Sequence, residues 1–537
     1  MCAGHQPSAG DRKGSSGMNL KILTCTSRSV TFEIEDGNIY ESLEPYEVSL
    51  NGVSAACGTR TVQSLYGLMP DSDYTVSVSC GGVSAAVGFH TERETATLNV
   101  LDFGASGSGA AEDTAFLQAA ILCCPEYGRV LVPAGTYLTG PLFLKSGIRL
   151  ELARGAVLAA LTGREHFPVL KGSIPCTDSK EEYNLGTWEG DPKDMYAAII
   201  TGVGVENVVI YGEGTIDGRA DHENWWKDPK AKQRAARPRT VFLNRCSNVI
   251  MEGITVKNSP SWTIHPYFSE NLKFLNLKIM NPKVSPNTDG LDPESCRNVE
   301  IAGVYFSVGD DCIAVKSGKL YMGARYKTPS ENIEIRQCCM RDGHGSVTLG
   351  SEMAGGICGL HVHRCLFADT DRGLRIKTRR GRGKDAVIRE ILFENIRMKG
   401  VVTPLVLNAF YYCDPDGHTP YVSTKECLPV DERTPYVGEL CFRNIRCEGC
   451  HAAAGFFYGL PEQKIESICM EHVRISFADS AVSALPAMMD GIEECSRKGL
   501  FIRNAKRVVL KDVRIGGQEG KAFDIENVED IVLTDGD

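Results

Sequence analysis

The sequence predicts an all-β chain in which a parallel β-helix follows a small β-sandwich. Three observations carry this. From about residue 95 short apolar strands recur, each closed by a small or polar turn. An apolar residue repeatedly stands seven positions before Asn or Asp: Ile210 and Asp217, Met251 and Asn258, Phe274 and Asn281, Ile335 and Asp342, Val362 and Asp369. The repeat starts at Asn248, Asn271, Asn298 and Asn332 are 23, 27 and 34 residues apart, and coils of irregular length with constant strand patterning indicate a solenoid. Helical periodicity is almost absent between these strands, which favours a β-helix over leucine-rich or helical repeats.

The elements follow in order. Residues 1–17 contain no apolar run and read as a disordered lead rather than a signal peptide, with Met18 as an alternative start. Residues 18–94 alternate apolar and polar positions, as in Val30 to Glu35 and Tyr74 to Ser79, between Gly, Asn, Pro and Asp turns. The segment GLMPDSDYTVSVS resembles the late strands of a fibronectin type III domain, with Tyr74 at the tyrosine corner. Residues 95–537 form the solenoid. Its exposed first coil needs a cap, and the segment Ala111 to Cys124 is the one amphipathic helix available for it. Three long insertions interrupt the coils: Lys171 to Met195, Arg219 to Arg239, and the stretch after Tyr412.

Composition excludes several classes. The 537 residues carry a formal net charge of −10, which argues against nucleic-acid or anionic-membrane binding. No run of about 18 apolar residues would span a bilayer. The 21 cysteines show neither metal-ligand spacing nor a small-domain disulfide framework. Buried free thiols and a reducing, cytoplasmic location are therefore expected, unless the native N-terminus was replaced.

Four motifs occur in order: Asn287-Thr288-Asp289, Gly309-Asp310-Asp311, Gly343-His344-Gly345 and Arg375-Ile376-Lys377. Together with the stretch LNVLDFGASGSGAAEDTAFLQAAI, they give a segment, from about residue 97 to 460, that resembles the polygalacturonases of glycoside hydrolase family 28, and among them bacterial exo-acting members with a fibronectin type III-like domain. The resemblance implies a right-handed, pectin-lyase-like β-helix. It also implies hydrolysis of α-1,4-galacturonosidic bonds in polygalacturonate or its oligomers with inversion, and no cofactor or metal. Asp310 would be the general acid, Asp289 and Asp311 would hold and deprotonate water, and His344 would tune the acid. Asn287 and Tyr411 would touch substrate, while Trp262 and His265 match a family stretch that mostly packs.

The residues themselves support parts of this. Glycosidic hydrolysis needs an acid and a base separated enough to admit a water, and three clustered carboxylates cannot all ionise cheaply. Adjacent strand residues point to opposite faces, so Asp310 and Asp311 share a cleft only if Gly309 lets the backbone turn. Arg375 and Lys377, two apart, face one side and suit a sugar carboxylate. The basic run Arg379 to Lys384 is either a solvated loop or an attractor of polyanion. The glycines beside His344 allow close approach of substrate. A lyase would need calcium and an Arg or Lys base. A hydrolase of rhamnogalacturonan or of pectic side chains, and a non-catalytic carbohydrate-binding β-helix, remain compatible with the sequence. The three insertions are expected to wall off one end of the groove, so that cutting starts from a chain end. The expected partner is a pectic poly- or oligosaccharide, and oligomeric state is left open.

Overall fold

The computed structural model describes residues 17–177, 182–231 and 234–535. Nearly all of the expected disordered lead lies outside these residues. The chain divides between Glu92 and Arg93 into two compact units.

The first unit has two antiparallel sheets. One contains Asn19–Cys25, Ser29–Glu35 and Val62–Tyr66; the other contains Glu41–Leu50, Val53–Arg60, Asp73–Cys80 and Val83–His90. Alternation along each strand turns Phe32 and Ile34 of the first sheet toward Tyr46, Val48, Val76 and Val78 of the second, forming one buried core. The Tyr74 hydroxyl accepts the Met69 N–H at 3.0 Å, tying the strand to the turn before it.

The second unit is a solenoid of parallel strands. Its first coil is covered by the helix Thr114–Cys123, which buries Leu117, Ala120 and Ile121. The helix starts later than its sequence pattern, because Ala111 and Glu112 end the strand Ser108–Glu112. Asp113 makes no side-chain cap to the helix. Its carboxylate instead accepts the N–H groups of Ser106 and Gly107. Two further short helices, Leu320–Tyr326 and Pro420–Ser423, sit in connections between coils.

The repeat read from the sequence is a stack. Ile210, Met251, Phe274, Ile301, Ile335 and Val362 pair in register from coil to coil, and each is fully buried. Burying such a side chain is worth roughly 1.5–3 kcal/mol, so the column forms a continuous core. Near the start of five of these six strands an Asn sits in the left-handed region, at Asn207, Asn248, Asn271, Asn298 and Asn332, and Gly359 holds that place in the sixth. Asn tolerates that conformation because its short amide can bond locally. Here the amides also bond each other, Asn298 to Asn271 at 2.9 Å and Asn332 to Asn298 at 3.2 Å.

A third column of strands carries the chemistry: Ile264–Tyr267, Ile313–Val315, Val347–Leu349, Arg372–Lys377 and Thr403–Asn408. Ile313, Val347, Leu374 and Leu405 align inward. The alternate positions, Ala314, Thr348 and Arg375, therefore face outward.

Candidate active site

The turns leading into this sheet bring the first three motifs together. Asp289, Asp310 and Asp311 each place a carboxylate oxygen within 4.8 Å of the others. They form the floor of a cleft of about 320 Å³ that Asn287, His344, Arg375, Lys377 and Tyr411 also line. The backbone bends at Gly309 and Asp310, so the adjacent aspartates reach one cleft. Gly309 is required for space rather than for an unusual dihedral: a Cβ there would lie 2.4 Å from the Ser285 carbonyl oxygen. The bend is braced by the Asp311 N–H, which donates to Asp310 Oδ1 at 3.0 Å.

The three carboxylates sit in different fields. Asp311 is fully buried, and burial alone would raise its pKa. Lys377 at 2.9 Å and Arg375 at 3.0 Å overcome that and hold it well below the usual carboxylate range. Asp289 is also buried, and burial together with the Asp310 charge pushes it up to about 8. One carboxyl of the cluster is thus protonated at neutral pH while another stays ionised. Asp310 is the most open of the three.

Arg375 and Lys377 line the cleft, and both are largely buried and engaged with Asp311. They belong to the second coil after Asp311, and they reach it across a coil that presents Gly345. A Cβ on Gly345 would lie 2.7 Å from Asp311 Oδ1 and 3.4 Å from the Arg375 Cδ. That glycine makes room for the ion pair. His344 donates through its Nδ1–H to the Asp371 carboxylate at 2.8 Å, and this bond, against the opposing effect of burial, raises the imidazole pKa.

Asn287 adopts a left-handed turn, and its carbonyl oxygen accepts from Arg237 Nη2 at 2.6 Å, leaving its amide N–H groups as donors to the cleft. Tyr411 is buried against Lys377, whose ammonium lies 5.7 Å from the ring centre. Tyr412 turns away and stacks on His418. Trp262 lines the cleft, whereas His265 lies beneath it, fully buried and bonded to Glu294 at 2.9 Å.

Several groups escape sequence reasoning. Lys316 lies 3.8 Å from Asp289, 3.8 Å from Asp292 and 3.2 Å from Glu352, so a buried cation stands behind the cluster. Its only sequence signal is a lone charge ending the apolar strand IAVK. Glu352 would be raised by burial, but Lys316 and Lys377 hold it ionised. A loop from the last 75 residues also reaches the site: Met488 lines the cleft and its sulfur lies 2.7 Å from Arg375 Nη2.

Most of the basic run is neither solvated nor free to attract a polyanion, although Lys384 stays exposed beside Glu432. Arg379, Arg380 and Arg382 are buried. They pair with Asp416, Glu462 and Asp414, and Arg380 also donates to the Thr424 and Glu426 carbonyls. They fasten the insertion after Tyr412 to the coils. Cys413 and Asp414 of that insertion, and Glu189 of the Lys171 to Met195 insertion, form part of the cleft wall. From the Arg219 to Arg239 insertion, Trp225 packs on Phe167 and Tyr196 instead. The Gly190 carbonyl accepts the Lys319 N–H at 2.9 Å, which pins the first insertion beside the cleft.

Known proteins resemble this chain in sequence and in fold. A probable polygalacturonase of Vitis vinifera is 31% identical over 394 residues, covering 72% of this chain and 75% of the relative. An exo-poly-alpha-D-galacturonosidase of Dickeya chrysanthemi is 26% identical over 447 residues, 74% of this chain and 69% of the relative. The crystal structure of an exopolygalacturonase from Thermotoga maritima superposes with a TM-score of 0.60 at 28% identity, over 72% of this chain and 88% of that one. The family 28 exopolygalacturonase of Yersinia enterocolitica shares the fold over 96% of this chain and 99% of its own, with a TM-score of 0.70 at 17% identity. Residues 129–480 match the model of glycosyl hydrolases family 28, and the chain belongs to that family.

Proposed function

We propose that this glycoside hydrolase cuts α-1,4-galacturonosidic bonds of polygalacturonate or its oligomers from a chain end. One observation carries the chemistry: three aspartates in contact range at the floor of a cleft, with unlike protonation imposed by their surroundings. Asp310, the most open, is the general acid that protonates the leaving oxygen. Asp289 and Asp311 hold the attacking water, and Asp311 supplies the permanent negative charge. His344, backed by Asp371, lies beside the acid. Asn287 and Tyr411 are the groups that touch sugar.

The spacing is tighter than the separation expected for an inverting pair. Two-carboxylate inverting sites hold their groups about 6.5–9.5 Å apart, whereas here the oxygens lie within 4.8 Å. Hydrogen bonds of about 2.7–2.8 Å on each side of one water span such a gap, so a single water bridged by two carboxylates still supports inversion. A divalent ion in the same place is disfavoured, because Lys316, Arg375 and Lys377 already neutralise the cluster.

End-cutting is supported by the walls contributed by Glu189, Asp414 and Met488, and by the similarity to exo-acting relatives. A fibronectin type III identity for the first unit is supported by its two sheets and the Tyr74 contact. A reducing compartment is supported by the free, mostly buried thiols of the solenoid. The test of end-cutting is a time course on long polygalacturonate that follows viscosity and reducing ends together. Release of mono- or digalacturonate with a slow fall in viscosity is expected. A rapid fall with few new ends and a ladder of intermediate oligomers would show internal cutting.

A further inference from the structure

On the outer face of the solenoid, away from the cleft floor, a second group of side chains converges. The strand Ile357–His363 carries His361 and His363 two positions apart, so both imidazoles stand on one face. Their rings stack at 4.2 Å between centres and 19° between planes. Glu334 of the preceding coil aligns with His361, and Glu394 of the following coil aligns with His363. Glu334 Oε1 lies 3.0 Å from His363 Nε2, and Glu394 Oε1 lies 2.8 Å from His361 Nε2. One ligand atom from each of Glu334, His361 and His363 lies within 4.8 Å of the others.

We propose that Glu334, His361 and His363, with Glu394 behind them, bind one zinc-like divalent cation. Two imidazoles with carboxylates match the preference of zinc and its first-row neighbours. In a tetrahedral shell with metal–nitrogen distances of about 2.0–2.1 Å the donor atoms stand about 3.3–3.4 Å apart, so from within 4.8 Å they draw together by at most about 1.5 Å, a rotamer-scale movement for side chains on an outer face. Glu394 serves as a fourth ligand, or orients His361 from behind as outer carboxylates do. The neutral imidazole of His363 binds through the lone pair of Nε2, so its ring proton moves to Nδ1 and the hydrogen bond to Glu334 gives way to a shared metal bond.

The local charge permits a dication. Arg336 donates to Glu334 Oε2 at 2.8 Å and is also paired with Glu300, and Arg364 approaches His363 Nδ1 at 3.3 Å. Three carboxylates, of Glu300, Glu334 and Glu394, stand against these two guanidiniums. The Arg364 contact, in which Nδ1 of His363 accepts, gives way when the ring proton moves to Nδ1 and frees Nε2 for the metal.

The cation would staple two particular coils. The coil of Glu334 runs on through Cys339–Arg341 to His344. The coil of His361 and His363 runs on through Leu366–Ala368 to Arg375 and Lys377. The expected consequence is stability of the stack, not chemistry.

The test uses the full chain, stripped with chelator and kept reduced. Zinc is titrated by calorimetry into wild type and into the H361A/H363A double variant, with melting temperature read in parallel. The thiols contribute equally to both proteins, so the double variant should take up one tight equivalent fewer and lose the zinc-dependent rise in melting temperature, while turnover on polygalacturonate stays at the wild-type level. Glu334→Gln, which spares the histidines, should weaken the same equivalent by about 10-fold or more. Crystals of wild type soaked in zinc should show an anomalous peak between Glu334 and the two imidazoles. Equal stoichiometry in wild type and variant, or no peak at that place, overturns the proposal. Because the site lies apart from the aspartate cluster, neither result bears on the assigned hydrolase activity.

Discussion

Lys377→Met separates the electrostatic account of the site from a merely steric one. The ammonium lies 2.9 Å from Asp311 Oδ2 and both groups are largely buried. At an effective dielectric of about 20, a unit pair at that distance is worth about 6 kcal/mol, equivalent to about four pH units in the titration of the carboxyl. Arg375 remains at 3.0 Å and water enters the vacated space, so roughly half of that, about two pH units, is the working figure. The direction is fixed by the depressed state of Asp311. A depressed carboxyl stays charged far into acid, and removing a cation raises its titration toward the working range. The acid limb of kcat on galacturonate oligomers should therefore move up by about two pH units. Comparing both proteins on one substrate cancels the titration of the substrate itself. Stability follows the same sign. The Asp311 contribution is present above the unfolded value of about 3.9 and is lost as the pH falls through the folded value. The variant should melt lower at pH 7, by an amount consistent with about 3–5 kcal/mol for a broken buried pair, with the deficit shrinking in acid. Lys377→Arg should recover most of both effects. An acid limb that coincides with that of the wild type, in a folded Lys377→Met protein, would refute the reasoning.

Two other predictions concern proton transfer. Asp310→Asn keeps shape but removes the transferable proton, so kcat should fall by about 10²–10⁴-fold with an unchanged melting temperature; near-normal turnover contradicts the assignment. Asp371→Asn removes the main partner that raises His344, so the imidazole should titrate nearer its ordinary value of about 6.5, read by NMR, and a titration that does not move contradicts the proposed pairing.

Much of this fold is legible because solenoids write their contacts locally. Phe274 and Asn281 report one coil each, and stacking repeats the report. The four motifs are legible for the same reason: each supplies its groups from one short segment. What the sequence hides lies in register between coils and in long loops. Lys316 approaches Glu352 from 36 residues away, and nothing local marks the pair. Arg380 finds Glu462 at a separation of 82 residues, so a run of cations that looks like surface charge is internal. Gly309 and Gly345 suggest dihedral freedom and substrate access; only the packed coils show that each clears space for a neighbouring backbone or ion pair. The reach of Met488 into the cleft is equally invisible, since its segment carries no motif.

The central claim is hydrolysis of galacturonan by the aspartate cluster, and it is tested most directly by proton NMR of polygalacturonate during digestion with EDTA present. Undiminished activity and a saturated galacturonate product, released first as its β anomer, are expected. A 4,5-unsaturated product, or activity abolished by the chelator, would contradict it.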